Sequence, residues 1–259
     1  MKFYFKSGLT LFLTLFLAVS AFGEKANNIK TIHIATPPWE GQTNKDGTGL
    51  FFEIVRNVYE PVGIEMTYEF VPWKRAQKMI NSNEADGMLC VWQKHAQEQK
   101  QLIPNYPMFV EYTAVVFKKE KIKEWKGLET IKGKKAVWLR GYDYHTMPRL
   151  KDIKLKWNET DIYEEAWAVL DRDRADVYID ALIDIDKYIR HNHVDMSPYK
   201  LEILWGENAY VAFGKTQRSK SLIEIYDKRI TELFNSGELK KIYDKWGVRF
   251  SPDPWKEVK

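Results

Sequence analysis

The chain has 259 residues, of which 44% are hydrophobic and 29% charged, so a packed core is expected and disorder is excluded. The formal charge is +4, from 40 Lys and Arg against 36 Asp and Glu. Without residues 1–23, which hold Lys2 and Lys6, the balance is 38 against 36, which gives no ground for nucleic acid or an acidic membrane as a partner.

The first 23 residues read as a secretory signal. Lys2 and Lys6 form a positive start, Leu9 to Val19 an apolar run broken by threonines, and Ser20, Ala21 and Gly23 supply small residues for cleavage. The run is shorter than the ~20 residues a spanning helix needs. Cys90 is the only cysteine, so no internal disulfide can form, and its apolar neighbours predict a buried, inert thiol.

Residues 30–36 alternate as a strand, and Pro37-Pro38-Trp39 turns it into a loop. Leu50, Phe51, Ile54, Val55 and Val58 mark one face of a helix that ends near Pro61 and Gly63. A second strand spans 64–71, a helix spans Trp73 to Asn81, and a third strand spans 86–91. This βαβαβ order requires a mostly parallel sheet with right-handed crossovers. A long strand at 109–117 precedes the lysine-rich stretch from Lys118 to Lys126, read as a crossover into a second lobe. There, a strand at 134–139 turns at Arg140-Gly141-Tyr142-Asp143 into a helix near Tyr144, and Leu155 to Asn158 form a short strand. Asp161 is expected to cap the next helix, and a strand at 176–180 leads to a helix ending near His191. Two short strands, 201–205 and 210–213, precede two helices split at Asn235-Ser236-Gly237. The tail, Ser251 to Lys259, is rich in proline and charge.

One pattern occurs twice. Glu84-Ala85-Asp86 and Arg174-Ala175-Asp176 each close an amphipathic helix and open an apolar run. That is how a helix hands over to a buried parallel strand. Two such units predict two α/β lobes, and a cleft between domains is a usual place for a small ligand.

This order resembles the family-3 extracellular solute-binding proteins over about residues 28 to 250. The markers are Pro37-Pro38-Trp39, Gly49, Ala85-Asp86-Gly87, Gly133-Lys134-Lys135, Gly141-Tyr142, Ala175-Asp176 with Asp180, and Gly237-Glu238-Leu239 with Tyr243-Asp244-Lys245-Trp246-Gly247. The resemblance implies a two-lobe, type II periplasmic-binding-protein fold, with mixed, mostly parallel sheets joined by two hinge strands. The lobes are expected at 24–115 with 208–259, and at 116–207. It also implies a monomer in the periplasm that hands a small polar solute, such as an amino acid, to an ABC-transporter permease. A sensory binding protein is the alternative.

In that family an Arg after the third strand clamps the ligand carboxylate, because a planar fork matches it. Glu98 stands at that position here. Arg75 and Arg140 are the candidate substitutes. Asp180 matches the carboxylate that holds the ligand ammonium, and an N-cap for the following helix is its structural alternative. Gly141 and Tyr142 lie at a strand-to-helix turn suited to an anion. Trp39, Trp73, Trp92 and Tyr142 follow strands or sit in loops beside them, where aromatic rings stack on a flat or cationic group, and Glu40 next to Trp39 is a further candidate ligand contact.

No motif demands catalysis: Gly-x-Ser-x-Gly, His-Glu-x-x-His and P-loop patterns are absent. His191 and His193 lack a placed third ligand, so no metal or cofactor is expected. Related dehydratases use cleft acids, for which Glu40, Glu98 and Glu111 are the candidates.

Overall fold

The structure, a computed structural model, describes residues 29–142 and 144–253. The expected signal segment, Asp143 and the end of the tail lie outside the described residues.

In chain order the elements are β1 (Thr31–Thr36), α1 (Leu50–Tyr59), β2 (Glu65–Phe70), α2 (Trp73–Asn81), β3 (Gly87–Trp92) and α3 (Gln93–Glu98). Then come β4 (Phe109–Lys118), α4 (Leu128–Ile131), β5 (Lys135–Leu139), α5 (Pro148–Lys151), β6 (Lys156–Thr160), α6 (Tyr163–Asp171) and β7 (Val177–Ala181). The chain continues with α7 (Leu182–His191), β8 (Tyr199–Phe213), α8 (Gln217–Asn235) and α9 (Glu238–Lys245). Short 3-10 turns occupy Glu60–Val62 and Tyr144–Thr146. Among the described residues no helix is long and apolar enough to cross a membrane.

The chain forms two compact units, one of residues up to Met108 together with Ala209 onward, the other Phe109–Asn208. The first unit orders its strands β2-β1-β3-β8. β1 pairs in parallel with β2 and β3, and β3 pairs antiparallel with the end of β8. α1 buries Leu50, Phe51, Ile54, Val55 and Val58 completely, the face its spacing dictates. The second unit orders its strands β8-β4-β7-β5-β6, with β5 parallel to β6 and β7, and β4 antiparallel to β7. Trp138, Phe117, Val177 and Ile179 pack one side of this sheet, and Trp167, Tyr178, Val137 and Tyr199 the other.

The repeated Ala-Asp pattern has a shared physical job. Asp86 accepts from the His33 N–H at 2.9 Å and donates its own N–H to His33 O at 2.9 Å. Asp176 does the same to Lys135, at 2.8 Å in each direction. Each aspartate thus ties the start of its strand to the parallel neighbour, and each follows a left-handed residue, Asn83 or Asp173, that ends the helix before it.

Four local expectations change. β8 is a single strand of 15 residues, running unbroken through Gly206-Glu207-Asn208, where two were expected. Asp161 caps nothing: α6 starts at Tyr163 with Ile162 at the cap. Only a 3-10 turn and the four-residue α5 follow Gly141-Tyr142. Cys90 is half-buried, with φ 60°, where β3 shifts register against β8 between Met88 and Val91.

Candidate functional site

In the first unit the loop after β1 is built around Thr43. Its hydroxyl accepts from the Trp39 N–H at 2.9 Å and donates to Pro37 O at 2.8 Å. The loop in turn covers the start of α1, whose Leu50 and Phe51 N–H groups donate to Gly41 O and Gln42 O, both at 3.0 Å. This holds the half-buried Trp39 ring 5.8 Å from Trp73, at 50°, and edge-on to Phe51. Trp73 opens α2 and lies 6.1 Å from the His95 ring, which contacts Gln77. Trp39, Trp73 and His95 therefore form one aromatic surface. Pro38, Trp39, Glu40, Thr43, Asn44 and Lys45 line a hollow of ≈ 300 Å³ beside it.

Arg75 is exposed in the first turn of α2, and among the described residues it has no ion-pair partner. Trp92 ends β3 half-buried and pairs through its backbone with Ala209. Glu98 is exposed at the end of α3 with Lys94 at 4.0 Å, so the expected carboxylate clamp is replaced by a surface acid.

In the second unit Asp180 is wholly buried near the C-terminal end of β7. Its Oδ2 accepts from the Tyr178 hydroxyl at 2.6 Å and its Oδ1 from the Ala181 N–H at 2.8 Å. Both donors are neutral. Burial pushes the carboxyl up to about 7; the Tyr178 hydrogen bond opposes this, and the charge of Asp184 adds to it. Asp180 is not the cap of α7, which starts at Leu182 behind Ala181. The Tyr142 ring stacks on Tyr144 at 5.8 Å and 10°. Burial first, then the field of Asp180, raises both phenols. Asp180 thus bonds the phenol of Tyr178, and its field reaches the phenols of Tyr142 and Tyr144.

Gly141 is exposed at φ 91°. Arg140 is already engaged: its Nε donates to Asp161 Oδ1 at 2.7 Å, and Glu159 lies at 3.5 Å. Those carboxylates come from the end of β6 and just beyond it, brought near by the β5–β6 register and the Arg140 N–H bond to Thr160 O. A ligand carboxylate would have to displace them.

The sequence reading missed Tyr144, Tyr178 and His95. Tyr178 was legible, since a residue two before Asp180 on a strand shares its face. Counted from the repeated Asp86 and Asp176, Cys90 in β3 is the counterpart of Asp180 in β7. Among the described residues no three His, Cys, Asp or Glu side chains are grouped to hold a metal ion.

The sequence profile of the bacterial extracellular solute-binding proteins, family 3, matches residues 30–249. Among solved structures, the L-cystine solute receptor of Neisseria gonorrhoeae in its unliganded open conformation aligns with a TM-score of 0.68 at 19% identity, covering 86% of this chain and 94% of that one. An ancestral arginine-binding protein bound to arginine aligns at 0.57 and 20% identity, covering 84% and 98%. An ancestral amino acid-binding protein described as a precursor of cyclohexadienyl dehydratase aligns at 0.59 and 14%, covering 88% and 98%. At these identities the likeness is one of fold. No curated protein sequence matches.

Proposed function

The chain belongs to the bacterial extracellular solute-binding proteins of family 3, and on that premise we propose that it holds a small polar solute carrying a cationic group and passes it to an ABC-transporter permease. Residues 1–23 direct export in this reading, and the mature chain works in the periplasm as a monomer. The candidate ligand contacts are the Trp39 and Trp73 rings in the first unit and Tyr142 and Asp180 in the second.

Asp180 carries the reading. A carboxylate with no exposed surface and only neutral hydrogen-bond donors has lost its hydration without gaining a countercharge, which is unfavourable in the empty protein. A ligand ammonium or guanidinium supplies that charge. Ligand binding then stabilises the bound arrangement through a contact the empty one lacks.

An amino-acid carboxylate finds less provision. Glu98 is acidic and Arg140 is held by Asp161 and Glu159, which leaves Arg75 as the candidate clamp. We favour binding without turnover, since Asp180 is turned toward Tyr178 and the Ala181 N–H.

The test is a thermal-shift screen of amino acids, amines and organic acids, followed by calorimetry on Asp180→Asn. A cationic hit whose affinity falls at least tenfold in the variant supports the reading. Hits confined to anions, or product formed from a hit, would overturn it.

A further inference from the structure

The near-neutral whole-chain charge conceals a separation within the second unit. Residues 118–156 hold thirteen Lys and Arg against five Asp and Glu, while residues 157–208 hold five against thirteen. The fold gathers part of the basic half at one end of a sheet. Lys134 and Lys135 lead into β5, Lys154 and Lys156 lead into β6, and Lys151 closes α5. Lys135 and Lys156 are direct partners in the parallel register, and the Lys156 N–H donates to Lys134 O at 2.9 Å.

Lys135, Lys151, Lys154 and Lys156 are exposed, and Lys134 is half-buried. Among the described residues none of the five has an ion-pair partner. The neighbouring cations differ: Lys118 and Lys121 share Asp173, and Lys132 lies 3.7 Å from Glu129. Like charges directly opposed on a sheet repel, so this end is poised for an anionic partner.

The residue types select among anionic partners. Protein interfaces are depleted in lysine and enriched in aromatics, methionine and arginine. Single-stranded nucleic acid needs rings interleaved with the charges. Hydrated point charges on flexible stems suit a diffuse plane of phosphate headgroups, which arginine forks are not needed to read. Trp157 follows Lys156 and is 46% exposed, as an indole at a membrane–water boundary is.

We propose that the end of the second unit formed by Lys134, Lys135, Lys154 and Lys156, with Lys151 and Trp157, docks on anionic phospholipid headgroups. Asp180 lies toward the other end of β7, which runs parallel to β5, so ligand binding leaves these lysines available. The proposal needs export to the membrane surface but not the identity of the solute.

The test is co-sedimentation of the mature chain with vesicles containing roughly one-third phosphatidylglycerol, against phosphatidylcholine alone. The variant is Lys134→Gln, Lys135→Gln, Lys154→Gln and Lys156→Gln combined. Binding is expected only to the anionic vesicles, with release at about 0.5 M salt. Each lysine is worth about fivefold, so the fourfold variant should partition at least tenfold more weakly at an unchanged melting temperature. Equal binding by the variant, equal binding to phosphatidylcholine, or capture only by membranes that carry protein would overturn the proposal. A ligand-induced thermal shift retained in the variant separates failure of this surface from failure of the solute-binding reading.

Discussion

Tyr178 and Asp180 point from the same face of β7, and the phenol donates to the carboxylate at 2.6 Å. The pair holds a buried acid in one orientation without neutralising it. Removing the donor should leave that acid harder to ionise. Tyr178→Phe is expected to weaken binding of a cationic ligand several-fold, and to change stability by only about 1 kcal/mol, the net worth of one such bond. Calorimetry and urea denaturation of the variant check both; unchanged affinity would detach the pair from the site.

The raised pKa of Asp180 gives a signed dependence on pH. Its folded value of about 7 lies above the ordinary 3.8. The stability it contributes is therefore fully present below about 4 and is lost as pH rises through 7. The rise corresponds to roughly 4 kcal/mol as an upper bound. Asp180→Asn should melt near the wild type below about pH 4 and above it at about pH 8, both without ligand. Melting curves that stay parallel across that range would contradict the assignment. Affinity for a cation should rise from about pH 6 to about pH 8 in the wild type alone, as the carboxylate ionises.

Trp39 packs on Trp73 and Phe51 while remaining half-buried, so its two roles separate by substitution. Trp39→Ala is expected to cost at least tenfold in affinity and less than about 2 kcal/mol in stability. Phe51→Ala, at a fully buried position, should cost about 3–5 kcal/mol. A stability loss at Trp39 as large as that at Phe51 would mark it as core.

Arg140 and Arg75 should behave differently. The Arg140–Asp161 pair is exposed, so breaking it should leave the melting temperature close to that of the wild type. Arg140→Ala should change affinity less than about threefold, because its guanidinium is already engaged. Arg75→Ala should weaken binding at least tenfold for any ligand with a carboxylate, and leave a simple amine unaffected. The reverse ranking in calorimetry would reassign the clamp.

Gly49 has φ 126°, and a Cβ there would stand 2.3 Å from Gln42 O, the carbonyl that receives the Phe51 N–H. Gly49→Ala should cost at least about 2 kcal/mol and release the loop that seats Trp39. A variant as stable as the wild type in denaturant would show that the loop adapts.

The fold was legible wherever one periodicity ruled. The stripe of α1 and the Ala-Asp handovers at Asp86 and Asp176 stand in the sequence because burial on one face dictates them. β8 reads as two strands because Gly206-Glu207-Asn208 carries no apolar side chain between the two apolar runs. In the fold a Cβ at Gly206 would meet Tyr112 at 2.8 Å, so the glycine makes room for a ring rather than a turn. The short α3 is polar along most of its length and carries no stripe to read. For the candidate site, position along the chain pointed to Asp180 and Trp39. The engagement of Arg140 was invisible, because Glu159 and Asp161 approach it only through strand pairing about twenty residues away.

The most direct measurement is a calorimetric titration of wild type and Asp180→Asn with the cationic solute found by screening, at about pH 8 where the acid is ionised. The account predicts at least tenfold weaker binding by the variant, with its melting temperature equal to or above that of the wild type. Equal affinities, or a variant that loses binding only because it has unfolded, would contradict it.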